Sequence, residues 1–175
     1  MKQLSELASE VMQLARDKQT RLKDLDESAR RGEEQYRKAI DGLLKQVTEW
    51  LSPFTSVGIE LVLDPTTLSK DFGKGAVSFD VPTLSVLADA EEVFALKPFV
   101  PASDDWELPR FKFVDFDMAR AIVMRQPRAI KEHLGWVAWV NEADKTKDPV
   151  YVKFDETFVM TRLKEYYQDQ AIAAK

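Results

Sequence analysis

An apolar stripe with helical spacing runs through the first third of this 175-residue chain and constrains its fold more than any other feature. Its members recur about every 3.6 residues, which places them on one face of an α-helix. The stripe consists of Leu4, Leu7, Val11, Leu14, Leu22, Leu25, Ala29, Tyr36, Ile40, Leu43, Val47, Leu51 and Phe54. A helix of some fifty residues is about 75 Å long, far longer than a compact domain of this size needs. We therefore expect this helix to meet a second copy, another protein or the rest of the chain.

The middle of the stripe is weaker than its ends, since Lys18 and Gly32 occupy stripe positions. Two interpretations follow: one continuous helix, or a helical hairpin that bends near Gly32. The absence of proline or a run of turn residues favours the continuous helix, and Pro53 predicts its end near Leu51. A strict heptad frame slips after Leu14 while the 3.6 period is kept, which favours straight helix packing over a long coiled coil.

The charges are unevenly distributed between the two parts of the chain. Residues 1–52 hold ten Lys/Arg and ten Asp/Glu, whereas residues 53–175 hold fifteen and twenty. An acidic body lacks the basic face that nucleic acid or an anionic lipid surface requires. No apolar run approaches eighteen residues. We therefore expect neither a nucleic-acid partner nor a membrane partner.

The rare residue types exclude several classes of chemistry. The chain has no cysteine, so disulfides, thiol nucleophiles and thiolate metal sites are excluded. Its one histidine, His133, excludes sites with two or three imidazoles, and residues 127–135 predict a short helix with His133 in a capping or surface role. No glycine-rich phosphate loop and no G-x-S-x-G motif is present. These features, and a charged N-terminus unlike a secretory signal, lead us to expect a cytoplasmic protein without a cofactor.

After residue 54 the period of the apolar pattern changes from 3.6 to 2, as expected for β-strands. Alternation predicts strands at residues 59–63, 77–81 and 150–154, and another strand beginning at Phe111. Residues 64–67 predict a turn, and Pro82 predicts the end of the second strand. Residues 136–140 are apolar on both faces, which predicts a central strand.

Two segments of the sequence are compatible with either a helix or a β-structure. Residues 83–98 contain helix formers but also a short acidic break, Asp89-Ala90-Glu91, flanked by β-branched and aromatic residues, which favours a hairpin. In residues 117–126, Asp117 can cap a helix, or Ala121 and Val123 can alternate in a strand. We favour the strand. Asp155 then predicts the start of a final helix, whose Val159, Leu163 and Tyr166 share one face.

The elements together predict an α+β fold. We expect a long N-terminal amphipathic helix, a mostly antiparallel sheet of about six to eight strands, and a C-terminal helix. The expected division places the association helix at residues 1–52 and the sheet domain at residues 53–175.

Candidate chemistry is sparse. Asp115 and Asp117 at positions i and i+2 of a strand would point to one face and could share a divalent cation, with Arg120 or Arg125 holding a phosphorylated substrate. The alternative interpretation is a pair of acids at a strand end, one of which caps the following residues. Further charge clusters contain Asp89, Glu91 and Glu92, then Asp104, Asp105, Trp106 and Glu107, and finally Arg128 and Lys131. Solvated loops and internal ion pairs explain these clusters as well as ligands do.

The leading hypothesis is a non-enzymatic interaction module that associates through its N-terminal helix, as an adaptor, a chaperone-like binder or an inhibitor. Its partner is another protein or a second copy in a homodimer. The expected partner-binding residues are Leu4, Leu7, Val11, Leu14 and Trp106. The alternative is a small metal-dependent enzyme that uses Asp115 and Asp117. The leading hypothesis assigns no catalytic, cofactor-binding or metal-ligating residue.

Overall fold

The computed structural model describes residues 2–102, 108–118, 120–127, 135–144 and 146–174, with side chains from residue 5 onward. In these described residues, two helices and seven strands form an α+β fold, as the sequence predicts. The elements are α1 (Lys2–Leu51), a 3₁₀ turn (Ser52–Val57), β1 (Ile59–Asp71), β2 (Ala76–Ala88), β3 (Glu91–Phe99), β4 (Arg110–Asp115), β5 (Arg120–Arg125), β6 (Trp136–Trp139), β7 (Tyr151–Lys153) and α2 (Glu156–Ala173). Within the described residues, no helix is both long enough and apolar enough to cross a bilayer.

The first helix is continuous, which confirms the favoured interpretation and excludes a bend at Gly32. It ends at Leu51, where Pro53 starts the 3₁₀ turn. Gly58 closes this turn with a φ of 97°, a left-handed conformation that suits glycine. The chain thereby leaves the helix and enters β1 within a few residues.

The strands form one antiparallel meander in which sequence order and spatial order coincide. The predicted hairpin in residues 83–98 is confirmed as the β2–β3 connection. Its two central residues, Asp89 and Ala90, have φ angles of 51° and 65°, as a two-residue type I′ turn requires. The strand predicted in residues 117–126 is confirmed as β5.

The turn expected at residues 64–67 and the strand end expected at Pro82 are both wrong. Pro65 and Pro82 lie opposite each other within an unbroken ladder of thirteen residue pairs between β1 and β2. Directly opposed residues in an antiparallel ladder alternate between bonded and non-bonded pairs, so two facing prolines can share a non-bonded pair. Their backbone nitrogens then face the open edge of β1 and a part of β2 that β3 does not cover, since β3 pairs with β2 only from Leu84 onward.

The buried face of the β1–β2 hairpin changes at these prolines. In β2, Phe79 and Val81 are buried on one side of Pro82, whereas Leu84, Val86 and Ala88 are buried on the other side, with the opposite parity. The register does not shift at this point, so the change reflects the strong twist of a two-stranded ribbon. The hairpin can therefore pack on the core at one end and against α1 at the other.

The core lies between one face of the sheet and the two helices. From α1 it receives Tyr36, Ile40, Leu43, Leu44, Val47 and Leu51, all at most 2% exposed. From α2 it receives Val159, Leu163 and Tyr166, the three residues predicted to share a face. Asp155 caps α2 as predicted, because its Oδ1 accepts a hydrogen bond from the Phe158 amide at 3.1 Å.

The central position expected for residues 136–140 is wrong, since β6 lies next to the edge strand β7. Trp136, Val137 and Ala138 are nevertheless buried. An apolar run thus indicates that both faces of a strand are covered. It does not indicate where the strand lies in the order of the sheet. The predicted helix around His133 lies outside the described residues.

Candidate interaction surface

The two halves of α1 have different surroundings although the same stripe runs through both. Every described side chain from residue 5 to residue 28 is exposed, whereas the stripe is buried from Tyr36 to Leu51. Leu7, Val11 and Leu14 are 62%, 59% and 68% exposed. We call residues 5–25 the free segment; at 1.5 Å per residue it extends about 30 Å.

The tip of the β1–β2 hairpin marks the end of the packed half of α1. Lys74 at the tip forms an ion pair with Asp26 of the helix. Phe72 packs edge-on against Tyr36, with ring centroids 5.8 Å apart. A Cβ atom on Gly32 would lie 3.2 Å from Cδ1 of Phe72, so this glycine lets the ring approach the helix closely. No described side chain of the free segment is buried against the sheet.

The hairpin tip itself is held in shape by Asp71. Its Oδ1 accepts backbone hydrogen bonds from Gly73, Lys74 and Gly75 at 2.7, 3.0 and 2.9 Å. These bonds, the one from Gly73 first, hold the pKa of Asp71 below its ordinary value, because they stabilise the carboxylate. Arg37 adds a bond to the Asp80 carbonyl at 2.9 Å and lies over the Phe79 ring.

The structure places three of the five expected partner-binding residues on one surface. Leu7, Val11 and Leu14 lie along the same face of the free segment, which Leu22 and Leu25 continue at 46% and 48% exposure. The side chain of Leu4 and the whole of Trp106 lie outside the described residues. The candidate surface is therefore the stripe of the free segment alone.

The two acids of the enzymatic alternative do not lie at positions i and i+2 of one strand, although both line the same surface pocket. Strand β4 ends at Asp115, which is 4% exposed, and Asp117 lies exposed in the following turn. Asp115 accepts a hydrogen bond from the Asp117 amide at 3.1 Å and lies 3.8 Å from Nη1 of Arg162, which also pairs with Glu165. This arrangement matches the alternative interpretation, in which one acid caps the residues after the strand.

The arginines of that alternative lie away from Asp115. Arg120 is opposite Val114 and so faces the other side of the sheet from Asp115. Arg125 lies over the Trp136 ring at 4.6 Å, about 20 Å along the sheet from Asp115 at 3.3 Å per residue. In the described residues, no group of three His, Cys, Asp or Glu side chains is placed to hold a metal ion.

A surface pocket of about 340 Å³ adjoins Asp115, but its charges do not suit an anionic substrate. Its lining carries four carboxylates, from Asp115, Asp117, Glu165 and Asp169, against the single guanidinium of Arg162. An excess of negative charge repels a phosphate group. The pocket therefore gives no support to the phosphorylated substrate of the alternative.

The other charge clusters are partly structural. Glu91 accepts hydrogen bonds from the Tyr166 hydroxyl and the Gln170 amide, both at 3.3 Å, and Glu92 accepts one from Ser85 at 3.0 Å. Burial raises the pKa of Tyr166, and the nearby Glu91 adds to this effect. Residues 103–107, Arg128 and Lys131 lie outside the described residues. Glu92 therefore bonds within the β2–β3 hairpin, Glu91 links that hairpin to α2, and Asp89 lies in the turn between the two strands.

No family model matches this chain, and no match was found among the curated proteins or the solved structures.

Sequence reasoning missed the order of the charges along the free segment. Residues 5–14 carry Glu6 and Glu10 and no basic residue. Residues 15–25 carry four basic residues, Arg16, Lys18, Arg21 and Lys23, against Asp17 and Asp24. Residues 1–52 as a whole carry no net charge, so this separation of acidic and basic residues appears only when charges are counted over about ten residues at a time.

Proposed function

We propose that this chain is a non-enzymatic, cytoplasmic interaction module that binds a protein partner through the free segment of α1. The observation that carries the proposal is the exposure of Leu7, Val11 and Leu14 on one helix face. Soluble proteins rarely expose a contiguous apolar surface unless it meets a partner. Anchors at this spacing are typical of helices that lie in an apolar groove or against another helix.

The energetics of the helix support the same proposal. A free helix of about twenty residues gains little from its own hydrogen bonds, because most helical stability in proteins comes from packing of an apolar face. The free segment has no such packing within the chain. A partner that buries the stripe would supply it, at about 1.5–3 kcal/mol for each leucine removed from water.

A matched pair of variants tests this function. The double variant Leu7→Glu/Leu14→Glu adds two charges to the stripe, and the control Ser5→Glu/Ser9→Glu adds two charges on the far side of the helix. Tagged chains are expressed in the native cell, and the proteins retained by each are quantified by mass spectrometry. We expect the stripe variant to lose at least ten-fold of the retained partner, since 1.4 kcal/mol corresponds to a factor of ten. Equal retention by all three chains would contradict the proposal.

A further inference from the structure

The face of the sheet that points away from both helices, which we call the outer face, carries a group of basic residues although the sheet domain as a whole is acidic. Both helices pack on the opposite face, where their side chains enter the core. Alternation along β3, β4 and β5 places Lys97, Lys112 and Arg120 on the outer face, and all three are exposed. Residues next to them in sequence, such as Leu96 and Phe113, point into the core.

These three basic residues form one cluster. Lys97 and Lys112 are direct partners in the ladder between β3 and β4, which places their Cβ atoms about 5 Å apart. Arg120 pairs with Val114 and is therefore the diagonal neighbour of Lys112, about 7–8 Å away. Nζ of Lys112 lies 5.1 Å from the centre of the Phe99 ring, which holds the ammonium group at this surface. The basic cluster thus presents three positive charges within about 12 Å.

The charges of the basic cluster repel one another. Like charges directly opposite each other destabilise an antiparallel sheet. None of the three side chains forms an ion pair with a carboxylate of the described residues. Acids that share the outer face of β1–β3 lie elsewhere: Glu60 and Asp64 on β1, two strands from Lys97, and Glu92 about 16 Å along β3. The fold alone does not favour this arrangement, whereas binding sites often retain residues that lower stability.

From the basic cluster we propose that the outer face binds an acidic segment of a protein partner in extended conformation. Residues i and i+2 of an extended peptide point to the same side and lie about 7 Å apart. Two carboxylates at this spacing match Lys112 and Arg120, while Lys97 lies beside the first of these. Half-buried Val114 and Ile122 occupy the other diagonal and can contact the methylene groups of the acidic side chains. This surface is separate from the free segment, so the proposal goes beyond the proposed function and does not depend on it.

The size of the basic cluster favours a peptide over a nucleic acid as the ligand. A nucleic acid carries a phosphate at every nucleotide and needs a basic track that continues along the strand. The basic cluster extends only about 12 Å, in a chain with a net charge of −5, so phosphates beyond it would meet an acidic surface. A short acidic segment places its carboxylates only where the cations lie, and both Lys and Arg bind carboxylates by charge-assisted hydrogen bonds.

Titration of the isotope-labelled full chain by nuclear magnetic resonance at low salt tests the proposal. The probe is an octapeptide of alternating glutamate and serine, and the control peptide has glutamine in place of glutamate. We expect only the glutamate peptide to shift the amide signals around residues 97, 112 and 120 in a saturable way, and salt to weaken this binding. Equal shifts with both peptides, or no saturable shift, would overturn the proposal.

Two double variants with the same net charge show whether the basic cluster is the site. Lys97→Gln/Lys112→Gln neutralises the cluster, and Lys45→Gln/Lys164→Gln neutralises two exposed lysines on the helices. We expect the first variant to weaken binding of the glutamate peptide by about five-fold or more, and the second by less than about two-fold. Equal losses would show that only net charge matters and would refute the site. Tighter binding of an octathymidylate than of the peptide would make nucleic acid the ligand and contradict the acidic segment.

A single charge reversal separates loss of binding from loss of folding. Lys97→Glu replaces the repulsion with Lys112 by a cross-strand ion pair, so its Tm should exceed that of Lys164→Glu, which makes the same change in net charge on α2. The more stable Lys97→Glu chain should nevertheless bind the glutamate peptide at least about ten-fold more weakly than the native chain. A Lys97→Glu chain that is less stable than Lys164→Glu, or that binds the peptide as tightly as the native chain, would contradict the proposal.

Discussion

Gly32 and Gly42 lie in the interior of the same helix but in different surroundings. A Cβ atom on Gly42 would have no neighbour within 4 Å, whereas one on Gly32 would lie 3.2 Å from the Phe72 ring. Glycine in a helix interior is about 1 kcal/mol less favourable than alanine. At Gly42 no close contact requires a glycine. At Gly32 the missing side chain permits the contact between α1 and the hairpin tip.

Replacing each glycine by alanine should separate these two effects. We expect Gly42→Ala to raise the free energy of unfolding by about 1 kcal/mol, through helix propensity alone. Gly32→Ala should raise it less or lower it, because the added methyl group presses on Phe72. Urea denaturation followed by circular dichroism measures both changes. In a Phe72→Ala background the two glycine substitutions should become equivalent, and equal gains in the native background would refute the role assigned to Gly32.

At the level of elements, α1 combines an exposed half with a half that belongs to the core. Tyr36, Ile40, Leu43, Val47 and Leu51 are buried between the sheet and α2. At about 1.5–3 kcal/mol for each buried side chain, these five contribute roughly 7–15 kcal/mol. A domain of this size has a total stability of about 5–15 kcal/mol, so the second half of α1 is indispensable to the fold.

Two truncated chains should therefore behave very differently. A chain that begins at Asp26 keeps the whole buried stripe and the ion pair with Lys74, so we expect cooperative thermal unfolding with a Tm within a few degrees of the full chain. A chain that begins at Pro53 loses these five residues and Leu44, all the core residues of α1, and should not fold. Calorimetry distinguishes the two. The sequence-based division at residue 52 stays a prediction, and a folded chain of residues 53–175 would support it.

The sequence predicts the elements of this molecule better than their surroundings. The 3.6 period identifies all of α1, but it is the same in both halves and cannot show which half the sheet covers. Which half is covered depends on how far the β1–β2 hairpin runs along the helix, and its tip reaches Asp26. The sequence conceals the length of this hairpin, because proline usually ends a strand and the hairpin contains Pro65 and Pro82. In the same way, the acids of residues 115–117 suggest a shared site only if the strand continues, and it ends at Asp115.

At the level of the whole molecule, the stability of α1 should change along its length. The helix gains tertiary support at Tyr36 and beyond, and the free segment depends on its own hydrogen bonds unless a partner covers it. Opening of the helix from its N-terminus therefore exposes no core residue until the hairpin tip is reached. The second half of α1 is therefore stable within the folded chain, whereas the stability of the free segment depends on a partner.

Native-state hydrogen exchange can measure this gradient directly. At low micromolar concentration we expect amides in residues 5–25 to exchange through local opening with little protection, and amides in residues 36–51 to exchange only on global unfolding. A partner that covers the stripe stabilises the helical form by mass action, so protection of residues 5–25 should be higher in the chain isolated together with the proteins it retains, while that of residues 36–51 changes little. The Leu7→Glu/Leu14→Glu variant should lose this gain in protection, and Ser5→Glu/Ser9→Glu should keep it. Uniform protection along the whole of α1 at low concentration would show that the free segment is stable without a partner, and the energetic argument for its association would then fail.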